Sequence, residues 1–156
     1  MAAVKLLNGY IDVEKHYNKL VNPCRSISPG ASAVNNITDE MVKDKSKFEQ
    51  IYAEFIDFIA DGVIVGHNLA FDMGFLREKV KKMGKPAPAN HTRDTLHLAR
   101  EMYKHLSLPS FKLTDLRRHF KMEAKNEHRA LSDVIATAKL LKKIIEDKEK
   151  KDINVI

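Results

Sequence analysis

Residues 63–84, VIVGHNLAFDMGFLREKVKKMG, constrain this chain more than any other stretch. Val63–Val65 is an uncharged, β-branched run and reads as a short buried strand. Gly66, His67 and Asn68 interrupt it. From Ala70 the pattern turns helical, with Phe71, Phe75 and Leu76 at apolar spacing, which makes both phenylalanines core residues rather than a stacking platform. Gly84 followed by Pro86 ends the helix. Asp72 therefore falls in the first turn, where the C-terminal end of a strand meets the start of a helix. Open α/β sheets place their ligands there. On its own, Asp72 is equally a carboxylate that offsets the helix dipole.

The remaining chain supplies material for one domain. Its 156 residues, 44% hydrophobic and 31% charged, are ordinary for a globular protein with a single core. AAVKLLNGYIDVEKHYNKLVNP reads as two strands around a turn near Asn8-Gly9 or Asp12-Val13-Glu14, closed by Pro23. Residues 24–43 read as a long connection, with Thr38 as a helix cap near its end. Phe48, Ile51, Tyr52, Phe55 and Ile59 form a helical stripe over 46–60. Thr95–Lys104 and Leu113–Phe120 are short helices. Arg129 to about Lys148 is a long one that buries Leu131, Ile135, Ala138, Leu141 and Ile145, with a frayed charge run, Asp147–Asp152, behind it.

Several chemistries find no support. No serine sits on a Gly-x-Ser-x-Gly elbow, and no glycine-rich phosphate loop is present. The histidines lack zinc-site spacing. A single cysteine, Cys24, makes no internal disulfide and suits a reducing cytoplasm. No apolar run is long enough to span a bilayer, so no membrane partner is expected. The net charge of +6 is compatible with a polyanion, although lysines on solvated helix faces account for much of it.

A second constellation, His128-Arg129-Ala130-Leu131-Ser132-Asp133, opens the last helix. His128 precedes the apolar periodicity and Asp133 lies inside it. Taken singly, they read as a surface histidine and a solvated helix residue. Taken with the first stretch, they carry a resemblance. Ile64–Leu76 (IVGHNLAFDMGFL) and His128–Leu140 (HRALSDVIATAKL) resemble the second and third motifs of the DEDDh 3′–5′ exonucleases, a family that includes the proofreading subunits and domains of bacterial replicative polymerases. Val34–Asp44, Asp94-Thr95 and Lys112-Leu113 are similar to that family in the same order. The resemblance covers essentially the whole chain.

It implies a ribonuclease-H-like α/β fold, a mixed sheet flanked by helices, and two-metal hydrolysis of phosphodiester bonds. The cofactors implied are Mg²⁺ or Mn²⁺, hard cations that take carboxylate oxygens and stand about 3.5–4 Å apart. Asp72 and Asp133 match the family's second and third acidic ligands, and His128 its general base. Asn68 is a candidate for orienting Asp72. The implied partners are a nucleic acid with a 3′ end, DNA ahead of RNA, and a DNA polymerase.

The family's first motif, an Asp-x-Glu on the opening strand, has no match. Asp12-Val13-Glu14 has the spelling, but it is expected in the hairpin turn and too close to Leu20–Pro23. Ala2–Gly9 matches the family's second strand. Residues 1–156 therefore read as one exonuclease-like domain that starts one strand late and lacks the first, central strand. With two of four carboxylates, two closely spaced ions are under-compensated. The alternative to an enzyme is a silent module of the same fold that binds nucleic acid or a polymerase.

Overall fold

A computed structural model of the chain describes residues 1–122 and 130–153. It is a mixed α/β fold. Strands β1 (Ala2–Leu7) and β2 (Tyr10–Asn18) form an antiparallel hairpin. The loop between them is Asn8-Gly9, with φ of 49° and 79°. Two consecutive positive φ values make the tight turn whose twist matches a hairpin, and Asn-Gly adopts them at least cost. Asp12-Val13-Glu14 is therefore not the turn. It lies within β2, where pairing steps from Val4↔His16 to Lys5↔Asp12 and a bulge takes up the intervening residues. Inside that bulge, the Asp12 carboxylate accepts the Lys15 N–H at 3.0 Å.

The connection after β2 holds more helix than expected. Helix α1 (Pro29–Asn35) has Pro29 at its start, a Ser28 side chain accepting the Ala31 N–H, and Asn36 in the left-handed region as its stop. Thr38 does precede helix α2 (Asp39–Val42), but its side chain makes no cap bond. Helix α3 (Phe48–Ile59) packs its stripe against the hairpin. Buried Tyr17 lies 5.5 Å from the Phe55 ring and 5.9 Å from Phe58.

Strand β3 (Ile64–Gly66) pairs in parallel with β4 (Thr92–Asp94), a three-residue strand that periodicity had left unread. Val63 lies outside β3 and is 55% exposed. Helix α4 (Leu69–Lys82) connects the two strands. Among the described residues β1–β2 and β3–β4 are separate two-stranded sheets. Helices α5 (Thr95–Tyr103), α6 (Leu113–His119) and α7 (Ala130–Ile153) follow, and α7 packs on β1, β2, β3, α5 and α6 together. It is thus the element that holds both sheets.

The buried face of α7 includes Ala138, as expected, but turns by one residue beyond it. Leu140 and Ile144 enter the core with Ala99, Tyr103 and Leu116, whereas Ile145 is 45% exposed. A helix turned through one residue carries its apolar stripe about 100° around, and neighbouring apolar residues make that angle ambiguous in sequence. The charged end does not fray at Asp147. The helix runs to Ile153, and Asp147 accepts a hydrogen bond from the Tyr103 hydroxyl at 2.8 Å and pairs with Lys143.

This register yields a direct comparison. Ile144→Ala should cost about 2–5 kcal/mol, the usual penalty for a cavity in a packed core. Ile145→Ala should cost about 1 kcal/mol or less. Urea unfolding of the two variants checks it, and equal losses would contradict the observed face.

Candidate active site

The β3–α4 junction is built by one carboxylate. The parallel register sets Gly66 opposite Asp94 at the C-terminal ends of β3 and β4. Asp94 then accepts the backbone N–H of Asn68 and of Leu69, each at 2.9 Å, and that of Leu96, also at 2.9 Å. It caps α4 and α5 at once and satisfies donors that a helix start leaves without intrahelical partners. Asn68 adopts φ 62°, a left-handed conformation that asparagine tolerates. What binds Asp94 is its backbone N–H; its side chain makes no cap bond.

Gly66 is required by crowding. A Cβ there would lie 2.6 Å from Leu69 Cδ1 and 3.1 Å from Leu69 Cβ. Leu69 is itself buried, so the start of α4 would have to move.

His67 is the second fastening. Its Nε2 donates to the Phe111 carbonyl at 2.9 Å, and its Nδ1 lies 3.0 Å from Thr95 Oγ1. Burial pushes the imidazole below its ordinary pKa, outweighing the Phe111 bond and the Asp94 charge that act upward. The single proton of the Thr95 hydroxyl is directed at the Gly66 carbonyl, 3.1 Å away, so Thr95 Oγ1 joins that carbonyl and His67 Nδ1 in one polar cluster. His67 thereby ties the end of β3 to α5 and to the loop before α6.

Asp72 stands in the first turn of α4, as expected. Asp72 is exposed, yet desolvation at the junction raises its pKa and the nearby Asp94 carboxylate adds to the rise, while a bond to its own backbone works against both. Two carboxylates thus crowd one junction, at the positive end of a helix dipole. Phe71 and Phe75 are not core. They are 63% and 53% exposed, with ring centroids 4.9 Å apart in an edge-to-face pair. The helix buries Leu69, Met73 and Val80 instead, which leaves the two aromatic rings on its outer side.

Asp133 lies in the first turn of α7. Its Oδ1 accepts from Arg117 Nη1 at 3.0 Å, and Arg117 Nη2 donates to Ser132 Oγ at 3.3 Å. Arg117 is 4% exposed. Sequence reasoning passed over it, although a charged residue directly after Leu116 on an apolar stripe was a visible signal. It also left Asp94 and His67 without roles. His128, the candidate base, lies outside the described residues. Both α4 and α7 pack on β3, the element common to Asp72 and Asp133. Among the described residues no three His, Cys, Asp or Glu side chains are grouped as a metal site. Asp72 and Asp133 have the oxygen chemistry that Mg²⁺ or Mn²⁺ requires, but the described residues do not complete an ion site around either.

The family model described as Exonuclease matches residues 1–141. PolC-type DNA polymerase III of Halalkalibacterium halodurans is 36% identical over 153 residues, and that of Bacillus subtilis is 37% identical over 157. Each alignment takes in 98% of this chain and 10% of the polymerase, so the chain spans about a tenth of those relatives. Among solved structures, exonuclease X bound to 5′ overhanging duplex DNA superposes with a TM-score of 0.74 at 29% identity, covering 93% of this chain and 80% of that one. Escherichia coli exonuclease I bound to a dT13 oligonucleotide gives 0.78 at 21% identity, covering 98% of this chain and 38% of that one, a likeness of fold. Both are ribonuclease-H-like exonucleases, and the expected α/β fold is thereby met, while the expected lack of the first strand stays an expectation. No helix among the described residues is long and apolar enough to cross a membrane.

The electrostatics set two pH effects of known sign. The folded state holds Asp72 with a raised pKa, so between the ordinary value and the raised one it binds more protons than the unfolded chain. Stability from this group then falls as pH rises, and Asp72→Asn should raise the melting temperature at pH 7. His67 has the opposite slope. Its folded pKa is lowered, so stability is full above about 6.5, the free histidine value, and is lost as pH falls toward the folded value. Melting curves from pH 4 to 8 should show that slope in the native chain and its flattening in His67→Gln.

Proposed function

This chain belongs to the exonuclease family, and from that premise we propose that it is a 3′–5′ exonuclease domain, residues 1–156, that shortens DNA from its 3′ end beside a DNA polymerase in the cytoplasm. The observation that carries this reading is the β3–α4 junction. It sets a carboxylate of raised pKa, Asp72, beside a second carboxylate and next to an exposed aromatic pair. A carboxylate kept at a cost to stability, in a family of nucleases, is better explained by chemistry than by folding. Phe71 and Phe75 offer flat apolar surface on which unpaired bases stack, a contribution of about 1–3 kcal/mol per base.

On this reading Asp72 and Asp133 are the acidic residues of the centre, His128 takes a proton from the attacking water, and Asn68 sets the entry to α4. The cofactor it calls for is Mg²⁺ or Mn²⁺. A second reading, a silent nucleic-acid-binding module, is favoured by one feature, the ion pair that already engages Asp133.

Degradation of a 5′-labelled single-stranded DNA with Mg²⁺ or Mn²⁺ decides between them. A ladder shortening from the 3′ end is expected, abolished in Asp72→Ala and reduced about 10²–10⁴-fold in His128→Ala, the usual contribution of a general base. Binding without cleavage, the same in all variants, would establish the silent module. Undiminished cleavage by Asp72→Ala would overturn the site.

A further inference from the structure

The Arg117–Asp133 pair is the feature that the exonuclease reading leaves unexplained. Arg117 lies on α6 with 4% of its side chain exposed, whereas Asp133 on α7 is 39% exposed. The guanidinium is therefore the buried partner and the carboxylate the one that reaches the surface. Among the described residues Asp133 is the one acid within ion-pair reach of Arg117, and Ser132 Oγ is the only other acceptor. The Arg117 Nε is buried and has no hydrogen-bond partner among the described residues. A guanidinium already one bond short depends on Asp133 for its counter-charge, because a buried cation stripped of its partner is strongly destabilising. Any divalent ion at Asp133 must either displace that bond or stand beside a fixed positive charge.

We propose that Arg117 is a resident counter-cation that masks Asp133 and competes with divalent metal for its carboxylate, which lowers the affinity of the chain for a metal ion at this position. Resting on the reading of Asp133 as an acidic residue of the hydrolytic centre, this makes Arg117 a positioning residue that sets metal affinity and stoichiometry from outside the ligand set. The two carboxylates are thereby unequal. Asp72 has another carboxylate as its neighbour, which favours a cation. Asp133 has a cation already.

Mn²⁺ binding to the full chain, followed by the electron paramagnetic resonance of free Mn²⁺, tests this without reference to activity. Arg117→Met should bind Mn²⁺ at least about tenfold more tightly than the native chain, in the range by which neighbours of metal ligands tune affinity. Arg117→Met/Asp133→Asn should return to the native value, and Arg117→Lys, which keeps the cation, should stay close to it. Arg117→Gln, which keeps a hydrogen-bond donor for Asp133 but loses the charge, should tighten Mn²⁺ binding in the same direction, a comparison that stands even if Arg117→Met does not fold by circular dichroism. Loss of native affinity in Asp133→Asn, with folded Arg117→Met unchanged, would overturn the masking and keep Asp133 as a ligand. Equal weak binding by Arg117→Met and the double variant would overturn both, since Asp133 would then take no ion at all. Weaker binding by folded Arg117→Met would show that Arg117 supports the ligand rather than masks it.

Discussion

The site depends on a single carboxylate that does no chemistry in the proposed reaction. Asp94 accepts N–H bonds from Asn68, Leu69 and Leu96, and so joins the end of β4 to the starts of α4 and α5. Hydrogen bonds to an ionised acceptor are about twice as strong as neutral ones, and these three converge on one group. They also fix the direction in which α4 leaves β3. Gly66 allows Leu69 to approach closely enough for that departure, and His67 pins the same turn to Thr95 and Phe111 from the other side. Asp72 is one turn further along, so its place is inherited from Asp94.

That arrangement has an electrostatic consequence. Desolvation at the junction raises the pKa of Asp72, and repulsion from the capping carboxylate adds to the effect. The helix dipole offsets some of it. On the proposed reading stability and function pull against each other at Asp72, while Asp94, bonded to three donors, caps two helices. The exposed Phe71–Phe75 pair extends the same tension. Two aromatic rings left in solvent contribute nothing to the core, yet they lie on either side of Asp72 in the chain.

At the other acidic residue the balance is reversed. Arg117 neutralises Asp133 from within the fold, through a bond between α6 and α7 that also joins two core-forming helices. Leu116, adjacent to Arg117, is fully buried against the same cluster as Leu140 and Ile144. The guanidinium is thus held by packing, and its charge is delivered to Asp133 by the position of its neighbours. One junction gathers negative charge and the other cancels it.

Much of this was legible before any coordinates. Asn8-Gly9 carries its own turn, because two residues that tolerate positive φ suffice for a hairpin. The β3–α4 unit, the first-turn position of Asp72 and the extents of α3, α5 and α6 follow from periodicity and punctuation, which are properties of neighbours in the chain. What neighbours cannot specify is which long-range partner each group meets. Asn68 and Asp94 are 26 residues apart, and Arg117 and Asp133 are 16. No spacing rule pairs them, so the cap and the counter-cation appeared only with the fold. The same reason shifted the buried face of α7 from Ile145 to Ile144 and turned Phe71 and Phe75 outward. A helix's apolar stripe says that one side is buried, but the surfaces packed against it choose the angle. Sequence by itself determined the elements and the place of Asp72 among them; tertiary structure decided the partners of each charge, because those charges meet only once distant segments have packed.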